Sequence, residues 1–290
     1  MNVKQRSLGL VTTAIILWSS VEVISKHVQP EINPLWLTMT RFSIGVLTLA
    51  IVYSFERRKN KRFGIPHKKL VLLGLLGLTI TFSLFQFGIY FTKASSAAVI
   101  YSTNPIFVTI FAAWQGEKVK RYQSAGILLG FIGVFLVMAE SALEGLLSTS
   151  YLLGNILMLL AGIGWASYTI YGRKYVAKYG AIPTILFSLS YGLIFLFPIA
   201  LVGEDISVLW NLSLETWAYI TFLGVIVVGL GFVLYFKGLE GIEASRGITP
   251  FYLKPVLASI IAWLWLGESI GPIFVVGLAA VASSIILAQK

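Results

Sequence analysis

The chain contains no cysteine, which excludes disulfides and thiolate metal sites. It has two histidines, His27 and His67, too few for a histidine-rich metal site. Charge is scarce as well: 12% of residues are charged, 57% are hydrophobic, and the mean hydropathy is +0.86. A soluble domain of 290 residues could not solvate such a surface, so the composition requires a polytopic membrane protein. Chemical motifs are missing too. There is no phosphate-gripping glycine loop, no His-Glu-x-x-His zinc motif and no Gly-x-Ser-x-Gly nucleophile elbow. The residues therefore point to no enzyme, no cofactor and no nucleotide hydrolysis.

What the chain does have is a copy of itself. KASSAAVIYSTNP at residues 93–105 returns 150 positions later as EASRGITPFYLKP. Leu73-Gly74 matches Leu223-Gly224 and Gly88-Ile89 matches Gly238-Leu239. With one inserted residue, Trp114-Gln115-Gly116-Glu117 meets Trp265-Leu266-Gly267-Glu268. A duplicated half-chain of long apolar stretches is the signature of a two-halved transporter whose site lies between the halves.

Apolar stretches punctuated by charge, Pro or Gly predict ten spans, at 7–26, 34–54, 70–92, 95–115, 122–139, 151–172, 181–202, 216–236, 245–266 and 270–288. The first, with Lys4 and Arg6 before Leu8–Leu17, resembles a signal peptide, but no small-residue cleavage pattern follows and it is read as a retained helix. With the N-terminus inside, 18 of the 22 basic residues fall on the cytoplasmic side, and the external loops around Glu140–Ser150 and Gly203–Glu215 carry none. This asymmetry predicts a multi-pass protein of the cytoplasmic membrane with both termini cytoplasmic. The formal charge of +10 is thus topological and calls for no nucleic acid partner. Five spans per half bring the second half in from the opposite side. The expected fold is all-α: ten transmembrane helices as two inverted five-helix repeats, residues 1–140 and 151–290.

Trp18-Ser19-Ser20, Thr40-Arg41-Phe42, Ala94-Ser95 through Pro105, Gly116-Glu117, Gly154-Asn155 with Trp165-Ala166, and Ala244-Ser245 through Gly267-Glu268 together resemble the EamA-type transporters of the drug/metabolite transporter superfamily. The first repeat reads Trp18-Ser19 where the family often has Trp-Gly, a difference of packing. The resemblance implies a central cavity lined mainly by helices other than the fifth and tenth, and export of amino acids or related compounds.

Ionisable and amide groups inside spans are costly and so are candidates for function. Asn104 and Lys254 occupy equivalent repeat positions, each just before a proline that can loosen the preceding turn. Both sit about 12–13 Å along their helices, at 1.5 Å per residue, from opposite surfaces. Glu22 lies at a depth similar to Arg41, and a buried pair between them would hold their helices in register. Alternatively, Glu22 would bind a cationic solute or a proton. Trp18 aligns with Trp165 and Tyr101 with Phe251, with Tyr90, Tyr168 and Tyr252 in similar positions. Such rings suit a flat or amphipathic organic solute, or a quaternary amine beside Glu22. The predicted substrate site is therefore Trp18, Glu22, Tyr101, Asn104, Trp165, Tyr168, Tyr252 and Lys254, with Arg41 in a structural ion pair and no metal. Trp36, Trp210 and Trp217 are expected in interfacial belts. Glu117 and Glu268 are expected to cap the following helix or pair locally. Gly126, Gly130 and Gly133 form a close-packing face suited to dimerisation.

The partners expected are a small organic solute and the bilayer, with a proton or no coupling ion, in a monomer or homodimer. Transport would be secondary or facilitative, exporting a metabolite by alternating access. The competing reading is import of a choline-like organic cation.

Overall fold

The structure, a computed structural model, describes residues 3–57, 66–114, 121–144, 149–203, 205–240 and 249–287. Ten rods run through the described residues, and there are no strands among them. We number them α1 to α10. Rod α1 joins Val3–Trp18 to Val21–Val28 across a break at Ser19-Ser20, and α2 is Pro34–Arg57. Rod α3 is built from His67–Gly74, Leu75–Phe82 and Ser83–Phe91, and α4 from Ala94–Tyr101 and Asn104–Trp114. Then come α5 (Arg121–Glu144), α6 (Thr149–Tyr179) and α7 (Ala181–Gly203). Rod α8 comprises Leu214–Phe222, Leu223–Gly231 and Phe232–Glu240. Rods α9 (Leu253–Leu266) and α10 (Pro272–Leu287) close the chain.

Local chemistry sets these ends. Pro34, whose missing N–H is unneeded in a first turn, starts α2, and the Asn33 side chain accepts from the Trp36 amide at 2.8 Å. Ser213 caps α8 by accepting from the Thr216 amide at 3.1 Å. Gly180, at φ 91°, turns the chain from α6 into α7. Inside two rods the winding is wider than α: Leu75–Phe82 and Leu223–Gly231 are π-helical. The first begins just after Leu73-Gly74 and the second on Leu223-Gly224, so the distortion is duplicated with the sequence.

Among the described residues, seven helices are long and apolar enough to cross a bilayer, and three shorter apolar ones accompany them. Their outer faces carry exposed Leu47, Phe55, Ile194, Leu264 and Val276, apolar surface suited to lipid.

Packing shows the inversion. Rod α1 packs on α8, and its counterpart α6 packs on α3; α2 packs on α8, and α7 on α3. Among the remaining pairs, α2 with α7, α4 with α9 and α5 with α10 map onto themselves, and α4 with α6 has its counterpart in α9 with α1. This pairing is what a two-fold axis between the halves requires. Glycine makes the equivalent crossings possible. A Cβ on Gly74 would stand 2.1 Å from the Ser188 carbonyl of α7, and one on Gly224 would stand 2.6 Å from Ile44 of α2.

Several expectations need correction. The Gly130–Gly133 face is used inside the chain: a Cβ on Gly133 would lie 2.7 Å from the Gly277 carbonyl of α10, leaving no free groove there for a second copy. Trp36 is buried at 2% exposure against Phe197, whereas Trp210 is 84% exposed. Glu268 caps a helix of the other half instead of its neighbour. Its carboxylate accepts from the Ala94 amide at 2.6 Å and from the Ser95 amide and hydroxyl at 2.9 and 2.5 Å. Lys93 donates to the Ser269 hydroxyl at 2.9 Å beside it. Glu140, at the end of α5, accepts from the Gly271 amide at 2.8 Å and from the Phe274 amide at the start of α10. Glu117 lies outside the described residues.

Candidate functional site

The two-fold axis passes through a box of rings. Trp18 and Trp165, equivalent in the repeats, meet edge to face with centroids 5.5 Å apart. Phe82 and Phe232, equivalent at offset 150, lie 6.0 Å apart. Phe82 also touches Trp165 at 5.7 Å, and Trp18 touches Phe232 at 5.4 Å. Edge-to-face contacts of this kind add about 0.5–1.5 kcal/mol each beyond burial. The box is anchored by a backbone bond: the Trp18 indole N–H donates to the Val227 carbonyl at 3.0 Å. Val227 lies in the π-helical stretch of α8, whose wide turns release a carbonyl that an α-helix would consume.

The rings border a cavity whose empty space, counted together with its open mouth, is about 390 Å³. Trp18 and Val21 come from α1, Arg41 and Phe42 from α2, Phe82 and Phe85 from α3, and Tyr101 from α4. Trp165 comes from α6, Val227, Val228 and Phe232 from α8, and Lys254 from α9. Rods α5, α7 and α10 contribute none of these residues, so the lining comes from both halves but unequally.

Buried charge lies at one side. Lys254, 2% exposed, donates to the Glu22 carboxylate, which is fully buried. The Lys254 ammonium also lies 5.2 Å from the centre of the Tyr101 ring. The expected Glu22–Arg41 pair is thus replaced by Glu22–Lys254. The reason is packing. Beyond the Ser19-Ser20 break, the outer part of α1 lies on α3, α4 and α9, whereas α2 leans on α7 and α8. Neighbours in sequence are not the nearest neighbours in space.

Arg41 remains buried, at 2% exposure, and lines the cavity. Its guanidinium carbon lies 5.1, 5.9 and 5.6 Å from the rings of Phe42, Phe82 and Phe85. Its Nε and Nη2, and the Trp165 indole nitrogen, have no hydrogen-bond partner among the described residues.

The other sequence candidates fall around this centre. Tyr168 stacks on Trp165 at 5.5 Å and its hydroxyl bonds Ser188 at 2.9 Å, so it backs the wall without lining it. Asn104 is buried and donates to the Tyr101 carbonyl at 3.0 Å. It closes the turn at Ser102-Thr103 that interrupts α4 before Pro105, and it is not among the lining residues. The Tyr252 side chain lies outside the described residues, although its backbone belongs to the short 3-10 turn Thr249–Tyr252 before α9. Tyr90 is exposed, and its carbonyl accepts from Lys26 and Gln29, both at 3.1 Å. Sequence reasoning missed Phe42, Phe82, Phe85 and Phe232. The offset-150 match of Phe82 with Phe232 was the available signal.

Outside the membrane, Glu31 accepts from the Ser213 amide at 2.8 Å and the Ser213 hydroxyl at 2.9 Å. These donors, the amide first, hold its carboxyl below the usual carboxylate pKa.

A ten-rod membrane fold with a ring-lined cavity on the axis between inverted halves defines a transporter. The chain belongs to the EamA-like transporter family, whose model matches residues 5–139 and again 152–289. An uncharacterized transporter of Clostridium kluyveri is 30% identical over 281 residues, covering 95% of this chain and 90% of that protein. An uncharacterized inner membrane transporter, YicL, of Salmonella typhimurium is 28% identical over 289 residues, covering 96% and 93%. A crystal structure of another protein is similar with a TM-score of 0.73 at 18% identity, over 97% of this chain and 95% of that one, a likeness of fold alone.

Proposed function

We propose that the protein is a secondary transporter of small organic metabolites, exporting amino acids or related compounds by alternating access about the cavity between residues 1–140 and 151–290. The observation that carries this reading is the cavity itself. It lies where two inverted halves meet, so rocking one half against the other would present it to each side in turn. Its walls are aromatic with few polar groups, the surface that binds an organic solute with an apolar body. Trp18, Tyr101, Trp165 and Lys254 would contact the solute, with Glu22 holding Lys254 and Tyr168 and Asn104 supporting the walls.

A choline-like cation fits less well, because the carboxylate that would attract it is already engaged by Lys254. The placement of basic residues supports both termini lying in the cytoplasm, a topology that terminal reporter fusions would test. Transport is tested with the purified full-length chain in proteoliposomes. Unlabelled amino acid inside should accelerate uptake of the labelled compound. An absence of counterflow across a panel of amino acids, amines and nucleosides would remove the reading.

A further inference from the structure

We propose that Arg41 is the anchor for a carboxylate carried by the solute, so that the cavity selects organic monoanions or the carboxylate end of an amino acid. The proposal rests on the transport reading above and names the chemistry of that site.

Burying a guanidinium without hydrogen bonds is expensive, so a protein that retains one at its central cavity leaves donors for a guest. Arg41 fulfils this description: it lines the cavity, and Nε and Nη2, the two donors on one edge of the fork, are unengaged among the described residues. That edge matches the two oxygens of a carboxylate. Phe42, Phe82 and Phe85 surround the guanidinium with hydrocarbon and supply no acceptor from their side chains. The Trp165 indole N–H is a further donor on the same cavity that is unengaged among the described residues.

Charge balance points the same way. Glu22, Arg41 and Lys254 form a buried set of one anion and two cations. Because Lys254 is bonded to Glu22, a single negative charge beside Arg41 makes the set neutral. A cationic guest would raise the net charge, and a phosphate dianion would overshoot it. The aromatic walls then receive the apolar remainder of the solute.

The test compares acids with their uncharged twins on the purified full-length protein. The probes are propionate with propionamide, 3-phenylpropionate with 3-phenylpropionamide, and 2-phenylethylammonium. Carboxylates should raise the melting temperature through preferential binding to the folded state, while the amides and the amine should not. Arg41→Gln should weaken carboxylate binding at least 10-fold, and Arg41→Lys, which keeps the charge but loses the fork, should fall between. The proposal is overturned if amides shift the protein as much as acids do, if no carboxylate shifts it, or if Arg41→Gln binds carboxylates as the natural chain does. The acid–amide comparison needs no variant, so misfolding of Arg41→Gln cannot obscure it. Counterflow separates the two levels. Uptake of amines but not acids would sink the Arg41 assignment and keep transport; acid-selective binding with no counterflow of any solute would do the reverse.

Discussion

The two halves share a frame and differ in its polar fittings. Arg41 and Ser188 each stand four residues before the matching glycines Gly45 and Gly192, and Glu22 and Thr169 each stand four after Trp18 and Trp165. On the fourth rod of each half the exchange runs the other way, with Asn104 in the first and Lys254 in the second. Inversion therefore gathers the charged set, Glu22, Arg41 and Lys254, on one side of the axis and the neutral set, Thr169, Ser188 and Asn104, on the other. Symmetry sets the frame. Asymmetry sets where its buried charge lies.

The largest effect should come from breaking the charged set. Lys254→Met leaves Glu22 without a bonded cation in a fully buried position, a loss of about 3–5 kcal/mol by comparison with broken buried pairs. Glu22→Gln combined with Lys254→Met removes both charges and should recover much of that loss. Melting temperatures of the purified proteins would show it. A double variant no more stable than Lys254→Met would mean that the pair does not couple α1 to α9. Transport should follow the same division: Lys254→Gln is expected to impair it more than Lys237→Gln, and equal rates would make Lys254 a structural residue only.

A smaller effect should distinguish the two glycine crossings. Gly74→Ala drives a methyl into the Ser188 carbonyl and the Gly192 amide, which belong to backbone and cannot rotate away. Gly224→Ala first meets the Ile44 side chain. Overpacking costs about 1–3 kcal/mol, and Gly74→Ala should lie at the upper end with Gly224→Ala below it. Gly9→Ala, with nothing within 4 Å of the new methyl, is the control and should be neutral or slightly stabilising. Equal losses at Gly74 and Gly224 would mean that the two crossings yield equally.

Much of this frame was readable in the chain. Hydropathy marked the ten rods, the offset of 150 related the halves, and five rods per half implied inversion. Trp18, Trp165 and Lys254 stood out because rings and charge at repeated mid-span positions are rare. The partner of Glu22 was not readable, because it depends on how α1 turns after Ser19-Ser20 and on which rod meets its outer half. The π-helical stretches have no local signature in an apolar run, yet they free the carbonyl that holds Trp18. A glycine face such as Gly130–Gly133 announces close packing but not its partner, which proved to be α10.

The smallest effect concerns the ends of the cavity-forming rods. Glu268, after α9, holds the first amides of α4, so one carboxylate ties the two halves together at that surface. Such a cap satisfies donors that an isolated helix start leaves open, and its removal costs about 0.5–2 kcal/mol. Glu268→Ala should therefore lower the melting temperature modestly. Under the proposed alternating access its greater consequence would lie in the balance between open and closed forms, because opening at this surface would separate α9 from α4. The absence of native cysteine lets a single Ser95→Cys probe report that separation without background. Labelling of Ser95→Cys by a membrane-impermeant maleimide should quicken when Glu268→Ala is added. An unchanged rate would show that Glu268 caps α4 without restraining the opening.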